Sequence, residues 1–558
     1  MVSETRRDLI MLAVASLLFF CSTQILSFIS PVFSSPDETA NAFFSETLAT
    51  QGKLYSFESL NAVLGDVLYP RSIISVEGRL LPIGFLGLPI LFGCLIWLFG
   101  NWSLPFWTPL FAILAVFAWY AITRRLFDRR IGLLSALLLL IFPAWWYWSA
   151  RPLMPNVLFV SLLIFSVFFL LIQPIKFWQK KIGWLDLILA GGFFALALWV
   201  RTFEVLWLTP VIFFSLIILR KYLSWKSVVL FFVSSAIAML PFLFFNNSLY
   251  GAPWKTGYTV SPAVVQNVQS VQEDQSDSPS SLSSLSSSST VPLLPFGLHP
   301  RTAAKNILNY GFLMFWWLTI PAIIGLVLVW PRRVLKDEKR SWRWCYFAVL
   351  AVSAIWLGLV YGSWSIFDNP DKSAVTIGNS YIRYWLPVFV LLTPLIATAV
   401  ANLTVLPFVQ KKRVMISVVC FLVFFGLSTH AVFFASDDSL WPMRTRLVEV
   451  ANTHEWVLQL TEANAVIVVD RADKLFFPDR RVRYPLRDEA TYDLLPRIAL
   501  RAPLYYYGIT FPQIDLAYLN NDKLKNLGLG IELIETFGEE SLYRIIVLNL
   551  DYPAVGGL

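Results

Sequence analysis

The chain has 558 residues, 57% of them hydrophobic and only 14% charged. With several apolar runs of about 20 residues, that balance excludes a soluble globule. The formal net charge of +8 does not point to nucleic acid, because the basic residues punctuate the apolar runs as orientation in a bilayer requires.

Arg6 and Arg7 precede the first apolar stretch. It continues without a small-residue cleavage site, so an uncleaved span with a cytoplasmic N-terminus is expected. A few residues beyond it stand Pro36-Asp37-Glu38. Two adjacent carboxylates at that boundary face water at the height of a lipid-phosphate headgroup, which suggests chemistry on a lipid-linked substrate. Hydropathy predicts spans over 9–29, 104–122, 131–148, 153–172, 184–200, 203–219, 227–245, 309–330, 344–362, 384–403 and 414–434. Basic clusters at Arg6/Arg7, Arg124/Arg125/Arg129/Arg130, Lys176/Lys180/Lys181, Arg220/Lys221, Arg332/Arg333/Lys336/Lys339/Arg340 and Lys411/Lys412/Arg413 all fall on the cytoplasmic side. This holds only if the apolar segment 82–100 does not cross; it is expected as a re-entrant or juxtamembrane helix. The four cysteines, Cys21, Cys94, Cys345 and Cys420, lie in apolar segments without CxxC spacing, so neither a disulfide framework nor a zinc site is expected.

With this parity the loops 30–103, 246–308 and 363–383 and everything after about 435 are external. Long loops on one face are where binding and catalytic groups gather. The serine-rich run 276–290 is too poor in apolar residues to pack, and a flexible flap and an idle insert are equally weighted readings of it. In the tail, Trp441–Leu460 has helical spacing, while Ala465–Val469 and Leu542–Leu548 are strand-like. The expected architecture is a polytopic α-helical membrane domain (1–434) of about eleven spans, followed by an extracytoplasmic α/β domain (435–558). No Gly-rich phosphate loop follows the first strand of that domain, so nucleotide binding is not expected.

Asp37 and Glu38 are the first candidates for chemistry, although acids at a helix end are often idle. External cations add context: Arg151 on the turn between the third and fourth predicted spans, Arg201 with Glu204 on the next external turn, and Arg383 at the start of a later span. Ionisable groups at span ends are expensive and usually face a cavity. Arg201 and Glu204 are equally open to a second reading, an i,i+3 ion pair that neutralises itself. One carboxylate and several arginines suit glycosyl transfer from a polyprenyl-phosphate sugar. The carboxylate takes the acceptor's proton, and arginines stabilise the phosphate leaving group without a general acid.

These residues resemble the GT-C superfamily of polyprenyl-phosphate-dependent glycosyltransferases, particularly the branch of protein O-mannosyltransferases and the lipid A aminoarabinose transferase. The matching pieces, in order, are Ser-Pro-Asp37-Glu38-Thr-Ala-Asn-Ala-Phe-Phe with the following Thr-Gln-Gly-Lys-Leu, Arg124-Arg-Leu-Phe-Asp-Arg-Arg130, Ser-Ala-Arg151-Pro-Leu-Met-Pro-Asn156 and Arg383-Tyr-Trp-Leu-Pro. The resemblance covers about residues 1–430. It implies Asp37 as general base with Glu38 in support, Arg151, Arg201 and Arg383 on the lipid phosphate, inversion at the anomeric carbon, and a non-spanning helix in the first external loop. Arg79, Glu204, Asn156 and Tyr384 are further candidates for supporting residues. The resemblance further implies a plasma-membrane location, a polyprenyl-phosphate sugar and membrane lipids as partners, and a glycolipid, protein or cell-wall polymer as acceptor. Asn156 departs from the acidic residue that relatives often carry there. No cofactor is expected; a divalent Mg or Mn ion is left open, since the wider superfamily includes metal-dependent oligosaccharyltransferases. Asp368 and Asp371 are the metal candidates in that case, although such residues favour turns. The rival readings are a transferase moving a phospho-group on the same carrier, and a flippase of lipid-linked sugars. The chain shows no internal repeat, which argues against transport.

Overall fold

A computed structural model describes residues 2–27, 32–171, 183–260, 297–329, 337–366, 368, 371, 373–403 and 413–548. The serine-rich run, the lysine cluster 176–181, Arg332, Arg333, Lys336, Lys411 and Lys412 lie outside the described residues. The chain divides into two compact units. One comprises Met1–Phe28, Ser103–Phe245 and Val268–Met443; the other comprises Ile29–Trp102, Asn246–Asn267 and Arg444–Leu558.

The first unit is helical. Among the described residues, seven helices are long and apolar enough to cross a membrane, or up to nine if two bent pairs are each one span. The first pair, Arg129–Ile141 and Pro143–Ser149, bends by 52° at Pro143, which cannot donate a backbone hydrogen bond. Two further helices, Pro155–Leu171 and Trp184–Val200, coincide with the remaining two predicted spans. Each has 17 residues, the lower end of what a bilayer needs.

The parity argument has a structural counterpart within this unit. Arg129, just beyond the helix Trp107–Leu126, donates to Asp8 at 2.7 Å and pairs with Glu4 at 3.0 Å, and Arg124 reaches the Thr5 hydroxyl at 3.2 Å. At the other end of the first helix, the Trp146 indole donates to Ser22. The helices Val2–Thr23 and Trp107–Leu126 therefore run in opposite senses, so the chain between them leaves and returns at one end. That is what a non-crossing 82–100 requires. The apolar helix found there, Gly87–Phe99, has 13 residues, short of the roughly 20 a span needs.

The second unit begins with the helix Pro36–Gln51. Its start is dictated locally. Ser35 caps it by accepting the Asp37 amide at 3.2 Å, Pro36 occupies the first turn where its missing N–H costs nothing, and Asp37 and Glu38 complement the helix dipole. Gly52, at φ 67°, closes the helix. The Gly87–Phe99 helix packs against it through Gly93, where a Cβ would stand 2.8 Å from Leu48 and 3.0 Å from the Ser45 carbonyl. Three short strands, β1 (Ser56–Phe57), β2 (Ile73–Val76) and β3 (Arg79–Pro82), form an antiparallel sheet in the order β1-β3-β2.

In the tail, the helix Leu440–Leu460 leads to a five-stranded mixed sheet. Its strands are β4 (Val466–Val469), β5 (Arg481–Arg483), β6 (Leu504–Ile509), β7 (Leu529–Phe537) and β8 (Glu540–Val547), in the order β5-β4-β6-β8-β7. β4 runs parallel to β5 and β6, and β8 antiparallel to β6 and β7. The core of this sheet is not built from the tail alone. Leu64 and Leu68 of the first loop are buried in it with Val466, Val468, Leu504 and Ile545. Arg481 pairs with Glu58 at 2.8 Å, and Arg483 donates to the Val67 carbonyl at 3.1 Å.

Candidate functional site

The three predicted phosphate-contacting arginines all belong to the helical unit, and the fold gathers them. Arg151 follows the short helix Pro143–Ser149, Arg201 caps the end of Trp184–Val200, and Arg383 lies in the helix Ser380–Tyr384. The Arg151 guanidinium lies 5.0 Å from the Trp148 ring, and that of Arg383 5.5 Å from the same ring. Arg383 also lies 5.1 Å from Tyr384, whose ring is 4.9 Å from the Arg201 guanidinium. Two aromatic rings thus link three cations. Trp148 is 1% exposed and Arg151 6%, so these cation–π contacts are shielded from water and correspondingly strengthened.

The array is braced from behind. Tyr384 stacks on Tyr361 at 4.5 Å and 18°, and Trp364 meets both rings edge-on. Arg201 and Glu204 form the expected i,i+3 pair at 2.6 Å, with side chains only 11% and 3% exposed. Glu204 also accepts from the Tyr361 hydroxyl at 2.8 Å and from the Trp207 indole. The self-neutralising geometry for Arg201 is therefore present, within a larger buried network. Asn156 is 2% exposed and donates to the Arg383 carbonyl at 3.2 Å, while its side-chain oxygen finds no hydrogen-bond partner among the described residues.

Trp207 also lines an apolar cavity of about 360 Å³. Trp119, Ile164, Leu208, Phe231 and Tyr346 form part of its wall. It is large enough for a stretch of hydrocarbon chain, and its lining offers such a chain little polar competition.

Asp37 and Glu38 belong to the other unit. Glu38 is buried and accepts from the Ser34 hydroxyl at 2.9 Å. Asp37 is half-buried and accepts from the Ser72 hydroxyl at 2.6 Å. Its position in the first turn of a capped helix fixes the carboxylate relative to the backbone, as a proton acceptor requires. Arg79, the other predicted supporting residue of this unit, lies on β3. It pairs with Glu77 at 3.0 Å, with side chains 41% and 79% exposed, and stands 5.9 Å from the Tyr55 ring. An ion pair that exposed contributes little.

Asp368 and Asp371 are both exposed and close local turns. Asp371 accepts from the Ser373 amide and hydroxyl at 2.8 and 2.7 Å, and Asp368 from the Ser380 amide at 2.6 Å. Among the described residues no group of three or more His, Cys, Asp or Glu side chains is arranged to hold a metal ion.

Sequence reasoning missed Trp148, Tyr361 and Ser72. Trp148 carried a signal: it closes the run Trp145-Trp146-Tyr147-Trp148 and stands three residues before Arg151, the spacing of helical neighbours. Ser72 carried none.

Residues 88–245 match the family described as dolichyl-phosphate-mannose-protein mannosyltransferase. No curated protein matches the chain by sequence. Among solved structures, the fold is similar to that of the oligosaccharyltransferase AglB from Archaeoglobus fulgidus, solved with an inhibitory peptide and a dolichol-phosphate. The TM-score is 0.53 at 12% identity, over 99% of this chain and 75% of that one. It is also similar to ArnT from Cupriavidus metallidurans in the apo state, with a TM-score of 0.50 at 12% identity, over 99% of this chain and all (100%) of that one. The segment match and the shared fold agree with the resemblance carried by the short motifs: the chain has the fold of AglB and ArnT, and residues 88–245 are similar to the mannosyltransferase family.

Proposed function

We propose that the chain transfers one sugar from a polyprenyl monophosphate to an acceptor on the extracytoplasmic face of a membrane, with inversion at the anomeric carbon. The observation that carries this reading is the array in which Trp148 and Tyr384 link Arg151, Arg383 and Arg201. Guanidiniums concentrated at the ends of several helices suit an anion presented at a membrane boundary, and they take phosphate bidentately. The adjoining apolar cavity supports a lipid-borne donor.

In this reading the Asp37 carboxylate takes the proton from the acceptor hydroxyl or amine as that atom attacks the anomeric carbon. The bond from that carbon to the phosphate oxygen breaks, and polyprenyl phosphate leaves as its anion, stabilised by the arginines. The leaving group is already a stable anion, so a second carboxylate acting as acid is unnecessary, in contrast to glycoside hydrolysis. Glu38 supports Asp37 by fixing the start of its helix. The positive-inside rule places Arg6, Arg7 and the Arg124–Arg130 turn in the cytoplasm. The N-terminus is then cytoplasmic and the arginine array extracytoplasmic, in a plasma membrane. Glycolipid, protein and cell-wall polymer are the acceptor classes such a site serves.

The test is transfer from a panel of radiolabelled polyprenyl-phosphate sugars, with crude envelope as acceptor and purified protein in detergent. Label on an acceptor, joined by a glycoside bond of inverted configuration, is expected. A phosphodiester product, or no release from any donor by folded protein, contradicts the proposal.

A further inference from the structure

We propose that the C-terminal sheet domain sets the position of the Asp37 carboxylate through a relay of three positioning residues, Asp473, Arg71 and Ser72. The inference rests on Asp37 being the base. Asp473 opens a four-residue helical turn just after β4 and is fully buried. Its carboxylate accepts the Arg71 backbone amide at 2.7 Å and the Arg71 side chain through Nε at 2.8 Å and Nη2 at 2.5 Å. Nη2 also donates to the Arg471 carbonyl at 2.6 Å. A buried carboxylate that loses its paired cation is costly, so this clamp holds Arg71 in one place.

Ser72 is the next residue, and its hydroxyl donates to Asp37 at 2.6 Å. Its φ is 65°, the left-handed region that a residue with a Cβ adopts only at a cost. Two restraints flank that conformation: the Arg71 clamp on one side, and the Ile83 amide donating to the Ser72 carbonyl at 3.1 Å on the other. If the turn served only to reverse the chain, glycine would serve better. A serine there keeps a hydroxyl aimed at the carboxylate.

The adjacent tail residue acts on the other flank of Asp37. Lys474 donates to the Ser34 carbonyl, and the Ser34 hydroxyl holds Glu38. Two consecutive tail residues, more than 400 positions away in sequence, thus bracket the first turn of the Asp37 helix.

The experiment measures kcat and KM for the donor that wild type uses, with full-length protein in detergent. Ser72→Gly suits the left-handed backbone and lacks the hydroxyl. It is expected to keep or raise the melting temperature, leave the donor KM within about twofold, and lower kcat about tenfold, the worth of one hydrogen bond to a charged group. Asp473→Asn is expected to lower kcat similarly, and the double variant no further, because both act along one relay. Parental kcat in Ser72→Gly, with Asp37→Asn inactive, overturns the relay and spares the base. An active Asp37→Asn overturns both. Losses that multiply in the double variant overturn the part assigned to Asp473.

Discussion

The pair Arg201–Glu204 separates structural from functional charge in this protein. Glu204 accepts from Arg201, Tyr361 and Trp207, and both members of the ion pair are nearly enclosed. Glu204→Gln leaves the guanidinium without its counter-charge and replaces one acceptor oxygen by a donor. Breaking a buried pair from one side costs about 3–5 kcal/mol, a fall of several degrees in melting temperature for a unit of this size. Arg201→Gln/Glu204→Gln removes both charges and is expected to recover most of that loss, because the desolvation penalty of the pair disappears with it. The two roles of Arg201 then part. If it also contacts the donor phosphate, the double variant is stable yet its donor KM rises roughly tenfold to a hundredfold, the worth of one charge-assisted contact. Thermal unfolding followed by tryptophan fluorescence and a donor titration on the same preparations read both quantities. A Glu204→Gln variant that loses less than about 1 kcal/mol refutes the buried-pair argument. A double variant with the parental donor KM removes Arg201 from the phosphate contacts.

Other expectations are read in the same way. Trp148→Leu removes the ring shared by Arg151 and Arg383 and is expected to raise the donor KM about tenfold, at about 0.5–2 kcal/mol per cation–π contact, with a smaller effect on kcat; donor titration checks it. Gly93→Ala presses a methyl group onto Leu48 and the Ser45 carbonyl beneath the Asp37 helix and is expected to cost about 1–3 kcal/mol. Gly192→Ala, where nothing lies within 4 Å, is expected to be neutral; melting temperatures compare the two. The hydrogen bond from His454 holds the Asp479 carboxyl below its usual range, and the Tyr505 hydroxyl does the same for Glu462. A carboxyl lowered in the folded state contributes stability that is complete above its unfolded value and is lost as pH falls through the folded one. The melting temperature is therefore expected to fall as pH drops below about 4, and Tyr505→Phe to lessen that fall; melting curves at a series of acid pH values measure both.

The membrane architecture was legible because hydropathy and charge act over short windows. The long apolar helices, the shorter helix within 82–100 and the position of Arg151, Arg201 and Arg383 at or near helix ends all follow from rules about single helices and their ends. The strand-like runs at Ala465–Val469 and Leu542–Leu548 became β4 and β8 for the same reason. What escaped the sequence depends on contacts between distant parts of the chain. Nothing near Leu64 or Leu68 shows that they complete the core of a sheet 400 residues away. Nothing near Arg71 shows that Asp473 holds it. The left-handed Ser72 was invisible because serine has no preference for that conformation strong enough to reveal it.

The most direct test of the central claim is release of free polyprenyl phosphate from the donor panel, comparing purified wild type with Asp37→Asn at equal expression and equal melting temperature. The account predicts release by wild type, with the sugar recovered on an acceptor, and none by the variant. Undiminished release by Asp37→Asn would contradict it.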